Sequence, residues 1–106
     1  MKNVLQQDLD LWEVWIEYDQ FHPEYFGTLY VHGEMPTNKK ISSILTKIDQ
    51  GGDRLTLQLP SKIEEDGYMK EVRYSEPIRN LNQYTSVCIC EGDEVVGVFD
   101  EIEIMI

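Results

Sequence analysis

Hydrophobic and polar residues alternate along most of this chain. In "DLWEVWIEYD", residues 10–19, the even positions from 12 to 18 are apolar or aromatic, whereas the odd positions carry Glu13, Trp15 and Glu17. A period of two residues is typical of a β-strand with one buried face, and the residue types here have high β-propensity. The pattern predicts a strand that turns its even positions inward.

The same alternation recurs at short intervals to the end of the chain. Further strands are predicted over residues 27–35, 53–60, 68–76, 84–91 and 94–106. Gly92-Asp93 separates the last two, as in a β-hairpin. Short strands joined by tight turns predict a mainly β or α+β fold, with an antiparallel sheet of about six strands curled into a sandwich or small barrel.

One segment has a helical rather than a strand-like pattern. In "PTNKKISSILTKIDQGG", residues 36–52, Ile41, Ile44, Leu45 and Ile48 follow helical spacing, and the residues between them are polar. Gly51 lies where a helix would stop. These features favour a short helix near residues 39–49, while the many β-branched residues leave a strand as the alternative.

Length, charge and cysteine content exclude several classes of protein. A chain of 106 residues is expected to form one domain, residues 1–106, and its net charge of −11 disfavours nucleic-acid binding. No apolar run is long enough to span a membrane, and no secretory signal is recognised. Cys88 and Cys90 would share one strand face, a poor geometry for a disulfide, so a reduced cytoplasmic protein is expected.

The first two strands can be paired in register from their side chains. Only pairings whose residue numbers sum to an odd value place Val14 and Ile16 on the same face as Leu29. A sum of 45 places Trp15 opposite Tyr30. A sum of 47 would instead place Glu13 opposite Glu34, and two like charges would then meet, so the register with a sum of 45 is preferred.

The register weakens a metal or catalytic interpretation of the two His-x-Glu sequences at His22 and His32. His22 falls in the loop and His32 in the strand, too far apart in an extended hairpin to share a metal. The spacing matches no metal motif, and no nucleophile elbow, phosphate loop or dinucleotide fingerprint is present. No catalytic residue, metal or cofactor is therefore assigned, and an enzyme has the least support.

Trp15 is the most unusual side chain of the predicted sheet because it lies among carboxylates on the outward face. A helix or loop could cover it, it could lie in a dimer contact, or it could be a partner-binding anchor, since Trp and Tyr are enriched at interface hot spots. The leading hypothesis is a non-catalytic protein-interaction domain. A more specific version of this hypothesis is that the domain inhibits a basic protein. The candidate binding residues are Glu13, Trp15, Glu17, Tyr30 and His32.

The alternative hypothesis is a small-molecule-binding β-barrel with its ligand held at the mouth. Tyr18, Tyr25 and Tyr84 are the tyrosines that would contact such a ligand. The sequence leaves the oligomeric state and the identity of any partner open.

Overall fold

The computed structural model describes residues 12–37, 42–48, 52–64 and 66–105. Within these ranges the chain forms eight strands and no helix, which confirms the mainly β prediction. The strands are β1 Glu13–Tyr18, β2 Gly27–Thr37, β3 Thr46–Ile48, β4 Arg54–Gln58, β5 Tyr68–Ile78, β6 Ser86–Glu91, β7 Glu94–Phe99 and β8 Glu103–Met105. No described segment is a helix long and apolar enough to cross a bilayer.

The strands form two four-stranded sheets that face each other across one core. The first sheet has the order β5-β2-β1-β8 and the second the order β3-β4-β6-β7. Each contains one parallel pair, β1 with β8 and β4 with β6, so the two sheets are mixed where an antiparallel sheet was expected. Apolar side chains from both sheets meet in a single buried cluster, as in a β-sandwich.

The β1–β2 hairpin adopts the predicted register. Val14 lies opposite Val31 and Ile16 opposite Leu29, and all four are buried. Trp12 lies over Gly33, where a side chain on the glycine would overlap the indole ring. The indole also donates from Nε1 to the carbonyl oxygen of Glu34 at 2.9 Å, which fixes the ring in place.

The short helix predicted near residues 39–49 is wrong for residues 42–48, while 39–41 and 49 lie outside the described residues. Ile44 forms a bridge to the edge of β5, and β3 then pairs with β4 in the second sheet. Leu45 is buried, but Ile44 is 60% exposed, so the helical apolar stripe does not form. Pairing with strands distant in sequence overrides the local spacing, in keeping with the many β-branched residues of this segment.

Over its described part, residues 94–105, the final predicted strand at residues 94–106 is two strands in different sheets. β7 ends at Phe99 in the second sheet, and β8 begins at Glu103 beside β1 in the first. Residues 100–102 cross between the sheets. This division and the short β3 explain why eight strands are present where about six were expected.

Candidate functional site

The outward face of the first sheet brings together all five residues predicted as a binding site. The register places Glu13 opposite His32 and Trp15 opposite Tyr30, with Glu17 next along β1. Their inward neighbours fill the core, so these five side chains project from the other side of the sheet. We call Glu13, Trp15, Glu17, Tyr30 and His32 the aromatic–acidic face.

Three rings pack against one another at the centre of this face. Trp15 stacks on Tyr30, with centroids 5.2 Å apart and planes at 20°. The ring of His32 meets Trp15 edge-on at 5.0 Å and 69°. Trp15 is half-buried, and the rings that shield it belong to its own cross-strand neighbours. Stacked and edge-to-face pairs hold the indole in a fixed orientation, and none of the described residues forms a helix over it.

Strand β8 extends the face beyond the predicted residues. Its parallel pairing places Glu103 beside Trp15 and Met105 beside Glu17, and both β8 side chains are exposed. The alternation of residues predicts that Glu103 faces outward, but it does not indicate that Glu103 lies next to Trp15. That proximity depends on the crossing from the second sheet to the first, a connection that residue periodicity does not report.

The charges on the face are unevenly distributed. Glu13 and Glu17 are exposed on β1, and Glu103 continues the acidic row on β8. Within the described ranges, none of these three carboxylates forms an ion pair. On the opposite side of the face, the exposed Arg73 of β5 lies beside His32. The face is therefore acidic toward β8, and toward β5 it borders Arg73, with Glu34 and Glu71 next along the two strands.

A groove borders the acidic side of the face. It has a volume of about 870 Å³, within the range of about 300 to 1,000 Å³ typical of ligand sites. Its lining combines carboxylates with aromatic and apolar side chains, namely Trp12, Glu13, Val14, Trp15, Glu17, Phe99, Glu101, Ile102, Glu103 and Met105. Such a lining suits a ligand that is both positively charged and able to pack against rings.

A second polar cluster, not predicted from the sequence, joins the two sheets at the β3–β5 side. Glu76 Oε1 accepts hydrogen bonds from Lys47 Nζ at 3.0 Å and from the Tyr74 hydroxyl at 2.7 Å. Its Oε2 accepts from the Tyr84 hydroxyl at 2.6 Å and from Gln83 Nε2 at 3.3 Å. Lys47 Nζ also donates to the Tyr84 hydroxyl at 2.8 Å. We call these five residues the Glu76 cluster.

Contacts within the Glu76 cluster shift the pKa values of three of its members. Burial favours the neutral acid, but hydrogen bonds from Tyr84, Tyr74 and Lys47 outweigh it and lower the pKa of Glu76. Hydrogen bonds to Tyr84 and Glu76 raise the pKa of Lys47. Burial, followed by the bond to Glu76, raises the pKa of Tyr74. A cluster whose donors and acceptors are satisfied in this way stabilises the contact between the sheets.

The remaining candidate groups do not assemble into a site. Tyr84 belongs to the Glu76 cluster, whereas Tyr18 packs on Phe26 and Tyr25 packs on His22. The three tyrosines suggested for a barrel mouth therefore have different packing partners. In the part of the chain that the structure describes, no group of three or more His, Cys, Asp or Glu side chains is arranged to hold a metal ion.

The two cysteines lie side by side on β6 as free thiols. Both are buried, and their Sγ atoms are 4.0 Å apart. Burial, together with the neighbouring Cys88, raises the pKa of Cys90 to about 11. A thiol with a raised pKa contains little of the thiolate that reacts with electrophiles.

We therefore expect Cys88 and Cys90 to resist alkylation in the folded protein. At pH 8, iodoacetamide should react with both at least about 100-fold more slowly than with the unfolded chain, because reaction requires local opening. Mass spectrometry before and after addition of denaturant measures the two rates. Equal rates in both states would contradict the burial of these thiols.

Comparison with models of protein families, with curated proteins and with solved structures finds no match to this chain.

Proposed function

We propose that this protein is a non-catalytic interaction domain that binds a positively charged protein through the aromatic–acidic face. The observation that carries the proposal is the stack of Trp15 on Tyr30, which lies on an outward sheet face beside the carboxylates of Glu13 and Glu17. A more specific version of this proposal is that the domain inhibits a basic partner, such as a nuclease or toxin.

Two physical features support recognition at this face. Rigid aromatic side chains contribute contact area at little entropic cost and dominate many interface energies. Carboxylates that lack an ion-pair partner within the described chain can pair with incoming lysine or arginine residues. Trp15 would supply the apolar contact, and Glu13 and Glu17 would orient the cationic groups around it.

The net charge of −11 supports the same class of partner. A strongly negative protein attracts basic surfaces over distances comparable to the Debye length, which speeds their encounter. The same charge repels the phosphate backbone of nucleic acids. The free cysteines Cys88 and Cys90 fit a role in a reducing compartment, and we propose the cytoplasm.

The proposal predicts that Trp15→Ala weakens binding of a basic peptide. With a hexa-arginine peptide as the probe, calorimetry should show affinity reduced at least about tenfold, because the variant removes the central ring. The matched control is Tyr68→Ala, which removes an aromatic side chain that is 59% exposed outside this face and should change affinity less than about twofold. Hexa-glutamate should not bind.

The dependence of affinity on salt concentration distinguishes charge-based binding at this face from apolar adsorption. Raising the salt from about 0.05 M to about 0.5 M should weaken binding, because exposed charges are screened over this range. Equal affinity of Trp15→Ala and the parent protein would reject the face as the binding surface, and binding insensitive to salt would reject a charge-based partner.

A small-molecule ligand is the second candidate, and the observation that favours it is the groove of about 870 Å³ beside Trp15. A ligand that binds only the folded state raises the unfolding temperature. Screening a metabolite library by thermal shift tests this candidate. A stabilising compound whose effect disappears in Trp15→Ala would support it over a protein partner.

A further inference from the structure

The crossing between the sheets creates the groove beside Trp15. β8 pairs with β1 only over Trp15, Ile16 and Glu17. The preceding residues diverge toward β7, which ends at Phe99 in the other sheet. An open space therefore remains between the start of β1 and the crossing segment, and its volume is about 870 Å³.

The lining of the groove is negatively charged and aromatic. Four carboxylates contribute to it, from Glu13, Glu17, Glu101 and Glu103, and no described lysine, arginine or histidine lines it. All four residues are exposed, and none forms an ion pair within the described ranges. Four like charges around one space repel one another, so a bound cation relieves the repulsion.

Aromatic rings form the apolar part of the same groove. Trp12 and Phe99 have centroids 6.4 Å apart with planes at 30°, and they join β1 to the end of β7. Trp15 contributes a ring held in place by Tyr30. A ring face next to carboxylates is the combination that attracts a cation with a flat, weakly hydrated surface.

We infer that this groove receives an arginine side chain of the basic partner. The inference rests on the proposed function and specifies the chemistry that the partner presents. A guanidinium group stacks on aromatic faces and donates up to five N–H groups to carboxylates. The ammonium of lysine is a strongly hydrated point charge, which gains less from the rings.

The test compares three small probes on the full chain. N-acetylarginine amide carries the guanidinium, N-acetyllysine amide carries an ammonium, and N-acetylcitrulline amide is the neutral analogue of the arginine probe. Titrations followed by NMR at the Met105 methyl and the Trp15 indole N–H report from the groove. The arginine probe should bind at least about threefold more tightly than the lysine probe, and citrulline should not produce saturable shifts.

Charge-neutral variants identify the carboxylates involved. The double variant Glu101→Gln/Glu103→Gln should weaken binding of the arginine probe at least about fivefold, because each lost charge removes a charge-assisted hydrogen bond. Glu24→Gln/Glu94→Gln removes two exposed charges from other parts of the surface and should change affinity less than about twofold. Equal effects of the two double variants would overturn the inference.

The outcomes separate this inference from the function on which it rests. If hexa-arginine binds in a Trp15-dependent manner but the arginine probe leaves the Met105 methyl unshifted, the groove is not the arginine site and the face remains the binding surface. If citrulline binds as well as arginine, the groove does not recognise positive charge. If neither hexa-arginine nor the arginine probe binds, both proposals fail.

Discussion

Gly33→Ala is expected to lower the free energy of unfolding by about 3 kcal/mol, the upper part of the range for overpacked positions. The new Cβ would overlap the indole ring of Trp12. The ring cannot move aside easily, because Trp12 is 5% exposed and its Nε1 is hydrogen-bonded to the backbone of Glu34. Urea unfolding followed by circular dichroism measures the change.

A double-mutant cycle tests whether the indole is the cause. In a Trp12→Leu background, Gly33→Ala should cost less than about half as much, since the ring that the Cβ would overlap has been removed. A cost that is the same in both backgrounds would show that alanine is disfavoured by the backbone at Gly33 rather than by the ring.

The second large effect is expected at the Glu76 cluster. Glu76→Leu should destabilise the protein by about 3 kcal/mol, because it removes the acceptor of the Tyr74 and Tyr84 hydroxyls and the ion-pair partner of Lys47. Glu76→Gln keeps an acceptor oxygen and should cost about 1 kcal/mol. Both are measured by urea unfolding at pH 7.

The pH dependence identifies the carboxylate charge as the source of this stability. The pKa of Glu76 is lowered in the folded state, so its contribution is complete above the unfolded pKa of about 4.3 and is lost as pH falls through the folded value. The difference between the parent protein and Glu76→Gln should therefore shrink as the pH falls below about 4.3. A difference that is constant with pH would contradict the assigned role.

Glu71→Gln is the matched control on the same strand. Glu71 is exposed and lies opposite Glu34, so neutralising it removes a like-charge contact. We expect a change within about 0.5 kcal/mol, in the stabilising direction. A loss of stability as large as that of Glu76→Leu would show that any charge change on β5 is harmful.

The β1–β2 hairpin is predictable from the sequence because its constraints are local. Two neighbouring strands joined by one loop admit few registers, and the buried positions Val14, Ile16 and Leu29 exclude every even sum of paired residue numbers. The remaining choice depends on which charges meet across the strands. The same register places Trp12 over Gly33 and gathers the five residues of the aromatic–acidic face.

The sheet edges are not predictable in this way. Residues 43–48 carry apolar spacing that fits a helix, yet they pair with β5 and β4, whose positions depend on the whole sandwich. The division of residues 94–106 between two sheets depends on the same long-range pairing. No window of sequence contains that information, so the groove lined by Glu101 and Glu103 could not be anticipated.

One feature of the Glu76 cluster can be recognised in the sequence, namely the position of Glu76 within its strand. On β5 the buried residues Val72 and Ile78 share the phase of Glu76, which places a charged residue in an inward row. A charged residue that points inward from an edge strand protects that edge from pairing with other chains and requires partners. Apart from Tyr74 on β5 itself, its donors come from β3 and from the segment before β6, which only the assembled fold brings near.

Mapping hexa-arginine on the full chain by two-dimensional NMR tests the central proposal most directly. We predict saturable shifts centred on the Trp15 indole N–H and on the amides around Tyr30 and His32, with smaller changes elsewhere. If shifts instead spread evenly over exposed acids such as Asp66 and Asp93 while the Trp15 indole stays unchanged, the peptide responds to net charge alone. That result would contradict recognition by the aromatic–acidic face.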